Sequence, residues 1–316
     1  YEAGSTNCDR TITARLIPAN AAADLHCDGR CFAVPPVPRQ LLCRDRHLSC
    51  LTPGPGLGKH SASRAVKIAR FVQVKTGKMT ANILVFDSGV GGLSVAEHIA
   101  KALPGHPMVY LMDRRDFPYG QLSDDYLCQR VLELCQRAIK QWPIELLVIA
   151  CNTASTVALP ALRQALNIPV VGVVPAVKVA ASLAQTGAIG VLATPATVQR
   201  RYLDDLIADH AAGCPVYRLG STELVQWAEQ WVYEGKRCEQ LVELLQPWIT
   251  AHQIRHVVLG CTHFPLVRQQ LLEHFPDIDW IDSGAAIGRR VASLLHNNTT
   301  ETAAMLYISW DGPAPD

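Results

Sequence analysis

Two cysteines 110 positions apart stand in near-matching contexts, Cys151 in LLVIACNTAS and Cys261 in HVVLGCTHFP. Each follows an apolar run and one small residue, and each is followed by Asn or Thr and a helical pattern. A run such as 146–150 reads as a buried parallel strand with the cysteine at its carboxyl end. Open α/β sheets place their ligands there. Built twice, the arrangement sets two thiols across a cleft, one to remove a proton from a carbon and one to return a proton to the opposite face. A thiol at a helix N-terminus is expected to lose its proton more easily, favouring the thiolate. A lone buried cysteine is more often a small core residue, so the repeated placement is what distinguishes this pair.

Other chemistry-bearing residues cluster around similar strand-to-helix turns. Asp87-Ser88-Gly89-Val90-Gly91-Gly92 follows an apolar run and opens a helical pattern, so its backbone amides are expected to face an anion. It is not a complete dinucleotide fingerprint, and it lacks the lysine of a nucleoside-triphosphate loop. Asp87 would project from the strand end into the cleft. His263, two residues after Cys261, is placed to share a proton with the thiol or substrate. Asn152, Thr153 and Thr262 offer short polar groups for a carboxylate or ammonium. Phe117-Pro118-Tyr119-Gly120 reads as a cleft wall with a polar-tipped ring. Glu229 falls in a helical pattern, ordinarily a solvated face. Asp282-Ser283-Gly284 echoes Asp87-Ser88-Gly89 and suggests two related halves.

The elements that must position these residues alternate regularly from residue 82 onward. Strands are predicted at 83–86, 108–112, 146–150 and 170–174, with helices at 93–103, 124–141, 155–166 and 177–185. A second series places strands at 188–193, 216–219, 256–260 and 279–281. Its helices fall at 197–210, 222–234, 238–252 and 266–275, and a further helix at 285–295 is expected to return to the first lobe. The fold class is therefore α/β, with two pseudo-symmetric lobes of mainly parallel sheet and the site in the cleft between them. The expected division is a first lobe of 79–175 and 283–316, and a second of 176–282.

Residues 1–78 differ in character. They lack sustained periodicity, hold proline clusters and five cysteines, and carry 12 Lys/Arg against five Asp/Glu, a net of +7. The remainder carries 17 against 23, a net of −6. Met79 is read as the natural start, and 1–78 as a disordered or non-native extension. Cys27, Cys31, Cys43 and Cys50 match no common zinc spacing, and no metal is expected. Attraction of nucleic acid by the basic segment would be non-specific, and none is expected as a partner. The chain has 49% hydrophobic and 18% charged residues, and no apolar run spans a bilayer, so no membrane partner is expected. Its eleven cysteines are too few and too irregular for a disulfide scaffold, which points to the cytoplasm.

In order along the chain, FDSGVGGLSV, DFPYG, ACNTAS, GVVPA, LGCTHFPL and DSGAAI resemble the bacterial glutamate racemases of the aspartate/glutamate racemase family. The likeness spans roughly 80–300 and does not extend over the long final helical segment of such enzymes. It implies racemisation of free glutamate by two bases without a cofactor, supplying D-glutamate for peptidoglycan. It also implies a homodimer and an activating peptidoglycan precursor as partners. By motif match, Cys151 acts on the D-enantiomer and Cys261 on the L-enantiomer. Asp87 then assists Cys151, His263 supports Cys261, and Glu229 is a further carboxylate. Asp87, Ser88, Tyr119, Gly120, Asn152, Thr153, Thr262 and His263 match substrate-binding positions, with Thr194 and Thr197 in the same role. The rivals are an aspartate racemase, a related cysteine-dependent isomerase, and a non-catalytic two-lobe binding protein.

Overall fold

The computed structural model describes residues 83–295, together with the backbone of two strands, β1 (Thr13–Pro18) and β10 (Ala304–Ser309). The five cysteines before residue 79, and the rest of the basic N-terminal segment, lie outside the described residues. Thr13–Pro18 departs from the patternless reading of that segment. It pairs antiparallel with β10, which itself pairs parallel with β3 (Met108–Met112). The ladder supplies partners for backbone groups that an edge strand would leave open.

The first sheet has the order β1-β10-β3-β2-β4-β5, where β2 is Ile83–Asp87, β4 Leu146–Ile149 and β5 Val170–Gly172. Its central strands are apolar up to their carboxyl ends, where β2 closes on Asp87, because both faces are covered. Leu84, Phe86, Val109, Leu111, Leu147 and Ile149 point to one side, against helices α2 (Asp124–Gln141) and α3 (Asn152–Ala165). Ile83, Val85, Met108, Tyr110, Leu146 and Val148 point to the other, against α1 (Leu93–Ala102) and α10 (Gly284–Leu294). The period of two thus divides each strand between two cores, each fully buried Leu, Ile or Val contributing about 1.5–3 kcal/mol. α10 follows the second sheet in sequence yet packs on α1. A Cβ on Gly288 would stand 2.6 Å from the His98 carbonyl oxygen, so only glycine permits that approach.

The second sheet, β7-β6-β8-β9, uses β6 (Ile189–Ala193), β7 (Val216–Gly220), β8 (His256–Leu259) and β9 (Asp279–Ile281), all parallel. Helices α4 (Val177–Ala184) and α6 (Arg201–His210) cover one face. Helices α7 (Glu223–Glu234), α8 (Leu241–Ala251) and α9 (Arg268–His274) cover the other. The chain crosses between sheets at 173–176 and 282–283, and the Ser283 hydroxyl donates to the Val174 carbonyl where the crossings meet.

The helix expected at 238–252 starts later, at Leu241, and three others depart from the sequence-based boundaries for a local reason. α3 begins at Asn152 rather than 155, because the Cys151 carbonyl already accepts from the Ser155 amide at 2.9 Å. The helix expected at 197–210 is two, α5 (Pro195–Gln199) and α6, separated by extended Arg200 (φ −78°, ψ 138°). The Arg200 side chain leaves to reach the other lobe, donating to Thr156 Oγ1 at 3.0 Å and the Thr153 carbonyl at 3.3 Å. The helix expected at 266–275 opens as a 3-10 turn, Phe264–Val267, that includes Pro265, which has no N–H to give. Among the described residues, no helix is long and apolar enough to cross a membrane.

Candidate active site

The carboxyl ends of the two sheets face each other, and Asp87, Cys151, Thr153, Thr194, Thr197, Glu229, Cys261, Thr262 and His263 are brought to that junction. From the first sheet come Asp87 and Ser88 after β2, the Phe117–Gly120 loop after β3, and Cys151, Asn152 and Thr153 after β4. From the second come Thr194 and Thr197 after β6, Glu229 from α7, and Cys261, Thr262 and His263 after β8. Cys151 is 6% exposed and Cys261 7%.

The two thiols differ in their company. Cys151 Sγ lies 3.8 Å from the Ser88 hydroxyl. Burial and then the nearby Asp87 charge push this thiol up to about 12, although the Ala154 amide and Ser88 act against that. The expectation of a helix-lowered thiol is therefore overturned for Cys151: loss of solvation outweighs the helix terminus. Cys261 Sγ lies 3.7 Å from His263 Nδ1, and His263 Nε2 lies 2.8 Å from Glu229 Oε1. Burial of His263 opposes protonation, but its bonds to Cys261 and Glu229 win and raise the imidazole to about 10. With both ring nitrogens protonated, Nε2–H donates to Glu229 and Nδ1–H to the sulfur. Cys261 thus stands as an acceptor.

Glu229 is not the solvated helix residue its pattern suggested. Its side chain is 14% exposed, and Oε1 also accepts from the Val90 amide at 2.8 Å. That bond, with Gly89 N–H donating to Asp87 Oδ1 at 3.0 Å, commits two amides of the glycine loop to protein carboxylates rather than to a bound anion. Asp87 Oδ2 accepts from the Thr262 hydroxyl at 2.9 Å, directly across the cleft. Burial raises the Asp87 carboxyl above its usual range, with the His263 charge pulling it back. Ser94, which sequence reasoning passed over, also bridges the lobes, donating to the Thr262 carbonyl at 3.0 Å.

Tyr119 departs from the cleft-wall reading in one respect. Its hydroxyl turns inward and donates to Asp113 Oδ2 at 2.7 Å. Gly120 lies against Thr194, whose side chain would be 3.3 Å from a Cβ there. The hydroxyls of Thr153, Thr194 and Thr197 form a triangle of 3.2, 3.4 and 2.9 Å that joins the lobes. Asn152 Oδ1 is buried without a hydrogen-bond partner among the described residues. A buried acceptor left open costs about 1–3 kcal/mol, and a substrate ammonium would satisfy it. The Asp282-Ser283-Gly284 echo repeats only the local turn. Gly284 N–H donates to Asp282 Oδ1 at 2.8 Å, but Asp282 Oδ2 is engaged by Arg268 at 2.8 Å. Among the described residues no group of three or more His, Cys, Asp or Glu is placed to hold a metal ion.

The glycine loop packs so closely on the second lobe that a Cβ on Gly91 would stand 2.5 Å from both His263 Nδ1 and Thr262 Oγ1. Gly91→Ala is expected to displace the histidine from Cys261 and to lower turnover on the order of 100-fold, while far-ultraviolet circular dichroism stays unchanged. Activity within a few-fold of the unaltered chain would show that the loop yields instead.

The sequence profile of the Asp/Glu/Hydantoin racemase family matches residues 83–291, which contain the whole of this site. The chain belongs to that family. A glutamate racemase of Salmonella gallinarum is 48% identical over 222 residues, covering 69% of this chain and 78% of that protein. The glutamate racemase of Escherichia coli, solved with L-glutamate and the activator UDP-MurNAc-ala, superposes with a TM-score of 0.66 at 44% identity. That match covers 71% of this chain and 86% of the other. The Francisella tularensis enzyme, solved with D-glutamate, gives 0.62 at 27% identity over 74% and 89% of the two chains. Racemase-family membership thus rests on both sequence and the paired-sheet architecture.

Proposed function

We propose that this chain interconverts L- and D-glutamate by two bases without a cofactor, and that it supplies D-glutamate for peptidoglycan. The observation that carries the reading is the pair of buried cysteines at equivalent strand ends of facing sheets, each with a different proton partner. In the L-to-D direction, Cys261 sulfur takes the α-proton, and the electron pair of the broken C–H bond spreads into the α-carboxylate. Cys151 gives its proton to the opposite face, leaving Cys261 as thiol and Cys151 as thiolate. The reverse direction exchanges these roles and restores the starting protonation.

The proton-holding tendencies of Cys151 and His263 suit the first direction. Cys151 is kept as a thiol by burial and Asp87, ready to act as the acid. Protonated His263 stabilises negative charge on Cys261. For the D-enantiomer, the substrate's own ammonium beside Asn152 would offset the burial that holds the Cys151 proton. Ser88, the Tyr119–Gly120 backbone, Thr153, Thr194, Thr197 and Thr262 are assigned to bind the two carboxylates. The direct Thr262–Asp87 and Thr153–Thr194 bonds must break to free these hydroxyls for them.

We further assign the enzyme to the cytoplasm, place the lobe boundaries near residues 175 and 283, and infer activation by a peptidoglycan precursor, since the E. coli relative is solved with one. The test is circular dichroism of each pure enantiomer of glutamate and aspartate with protein free of pyridoxal phosphate. Both glutamate signals should decay to zero. Decay from aspartate alone would replace glutamate as the substrate, and dependence on added pyridoxal phosphate would remove the two-base mechanism.

A further inference from the structure

Arg130, on α2, is 2% exposed and lies beneath the loop that joins β3 to the Tyr119–Gln121 turn. Its guanidinium grips Asp113 with two donors, Nε to Oδ2 at 2.9 Å and Nη2 to Oδ1 at 2.8 Å. Nε also lies 3.0 Å from Asp116 Oδ2. The Tyr119 hydroxyl donates to the same Asp113 carboxylate. One arginine therefore ties the start, the middle and, through Asp113, the far end of the loop. On its other side the loop meets both halves of the cleft. The Phe117 ring lies 5.6 Å from that of His263, and Gly120 rests on Thr194.

Stability alone is a poor explanation for this arrangement. A buried ion pair recovers little beyond its own desolvation, and apolar residues of similar volume often replace one without loss. Arg130 also leaves Nη1 buried without a partner among the described residues. What a planar two-donor fork supplies is orientation. We propose that Arg130, acting through Asp113, is a positioning residue that sets the Phe117–Gly120 wall against His263 on one side and the threonine cluster on the other.

This proposal rests on reading the cleft as a glutamate racemase site. The test compares the full chain with Arg130→Lys, Asp116→Asn and Tyr119→Phe, following racemisation of both glutamate enantiomers and thermal unfolding. Arg130→Lys keeps the charge and loses the fork. It should raise KM for both enantiomers about tenfold or more, because misplacing substrate contacts by about 1 Å can cost on the order of 100-fold in rate. Arg130→Lys and Tyr119→Phe should combine to less than the product of their separate effects, since both act on Asp113. If Arg130→Lys does not fold, Asp116→Asn and Tyr119→Phe decide, each raising KM in a protein that unfolds well above the assay temperature. Unchanged KM and kcat in the folded variants would overturn the role of Arg130. An unaltered chain that fails to racemise glutamate would instead overturn the reading of the site.

Discussion

Cys151→Ser and Cys261→Ser are each expected to lower kcat/KM for racemisation by about 1,000-fold or more, since a positioned acid or base contributes about 100- to 10,000-fold. A serine hydroxyl holds its proton far more tightly than a thiol, so either change removes one of the two proton carriers. The enantiomers have equal free energy, so kcat/KM must fall equally in both directions whichever cysteine is replaced. Rates of racemisation therefore cannot say which thiol faces which enantiomer. Exchange of the α-proton with deuterated water can. Cys151→Ser keeps Cys261 and should wash deuterium into L-glutamate with retained configuration, leaving D-glutamate unlabelled. Cys261→Ser should do the reverse. Proton nuclear magnetic resonance of the α-position reads both outcomes. Racemisation surviving at the unaltered rate in either variant would end the two-base mechanism. Labelling of the opposite enantiomers would swap the assigned faces.

Much of the architecture was legible because both sheets are buried on both faces. Segments such as 83–86 and 146–149 are continuous apolar runs, and the cleft residues sit at their ends. Strand ends can be read from composition, so Asp87, Cys151 and Cys261 stand out as a constellation in the sequence alone. What composition does not carry is the partner of each side chain. Glu229 belongs to an ordinary amphipathic helix, and only the approach of α7 to the 261–263 turn makes it the anchor of His263. Arg200 looks like a helical residue, yet its contacts with Thr153 and Thr156 break the helix. The Cys151 shift runs against the helix-terminus expectation for a related reason. A helix terminus is visible in sequence, whereas burial and a neighbouring Asp87 are tertiary facts. The amides of the glycine loop likewise find carboxylates of the protein itself, one of them 139 positions away.

Glu229→Gln is expected to damage both stability and catalysis, chiefly through the bond to His263 Nε2. The carboxylate holds a buried imidazolium, and removing one partner of such a pair costs about 3–5 kcal/mol. Because His263 is raised from 6.5 to about 10, its contribution to folding is fully present below about pH 6.5 and declines as pH rises through about 10. The unaltered chain should therefore lose thermal stability between those limits. Glu229→Gln should start lower and show a flatter decline, since a histidine without its anion loses its proton nearer the ordinary value. Catalysis should follow the same shift. If imidazolium is the form that supports charge on Cys261, the alkaline limb of kcat/KM lies near pH 10 in the unaltered enzyme and moves toward neutrality in the variant. The pH profiles of unfolding midpoint and of kcat/KM, measured on both proteins, check this together. An alkaline limb that stays in place would mean that another group titrates there. His263 would then serve Cys261 through packing and orientation rather than through its charge.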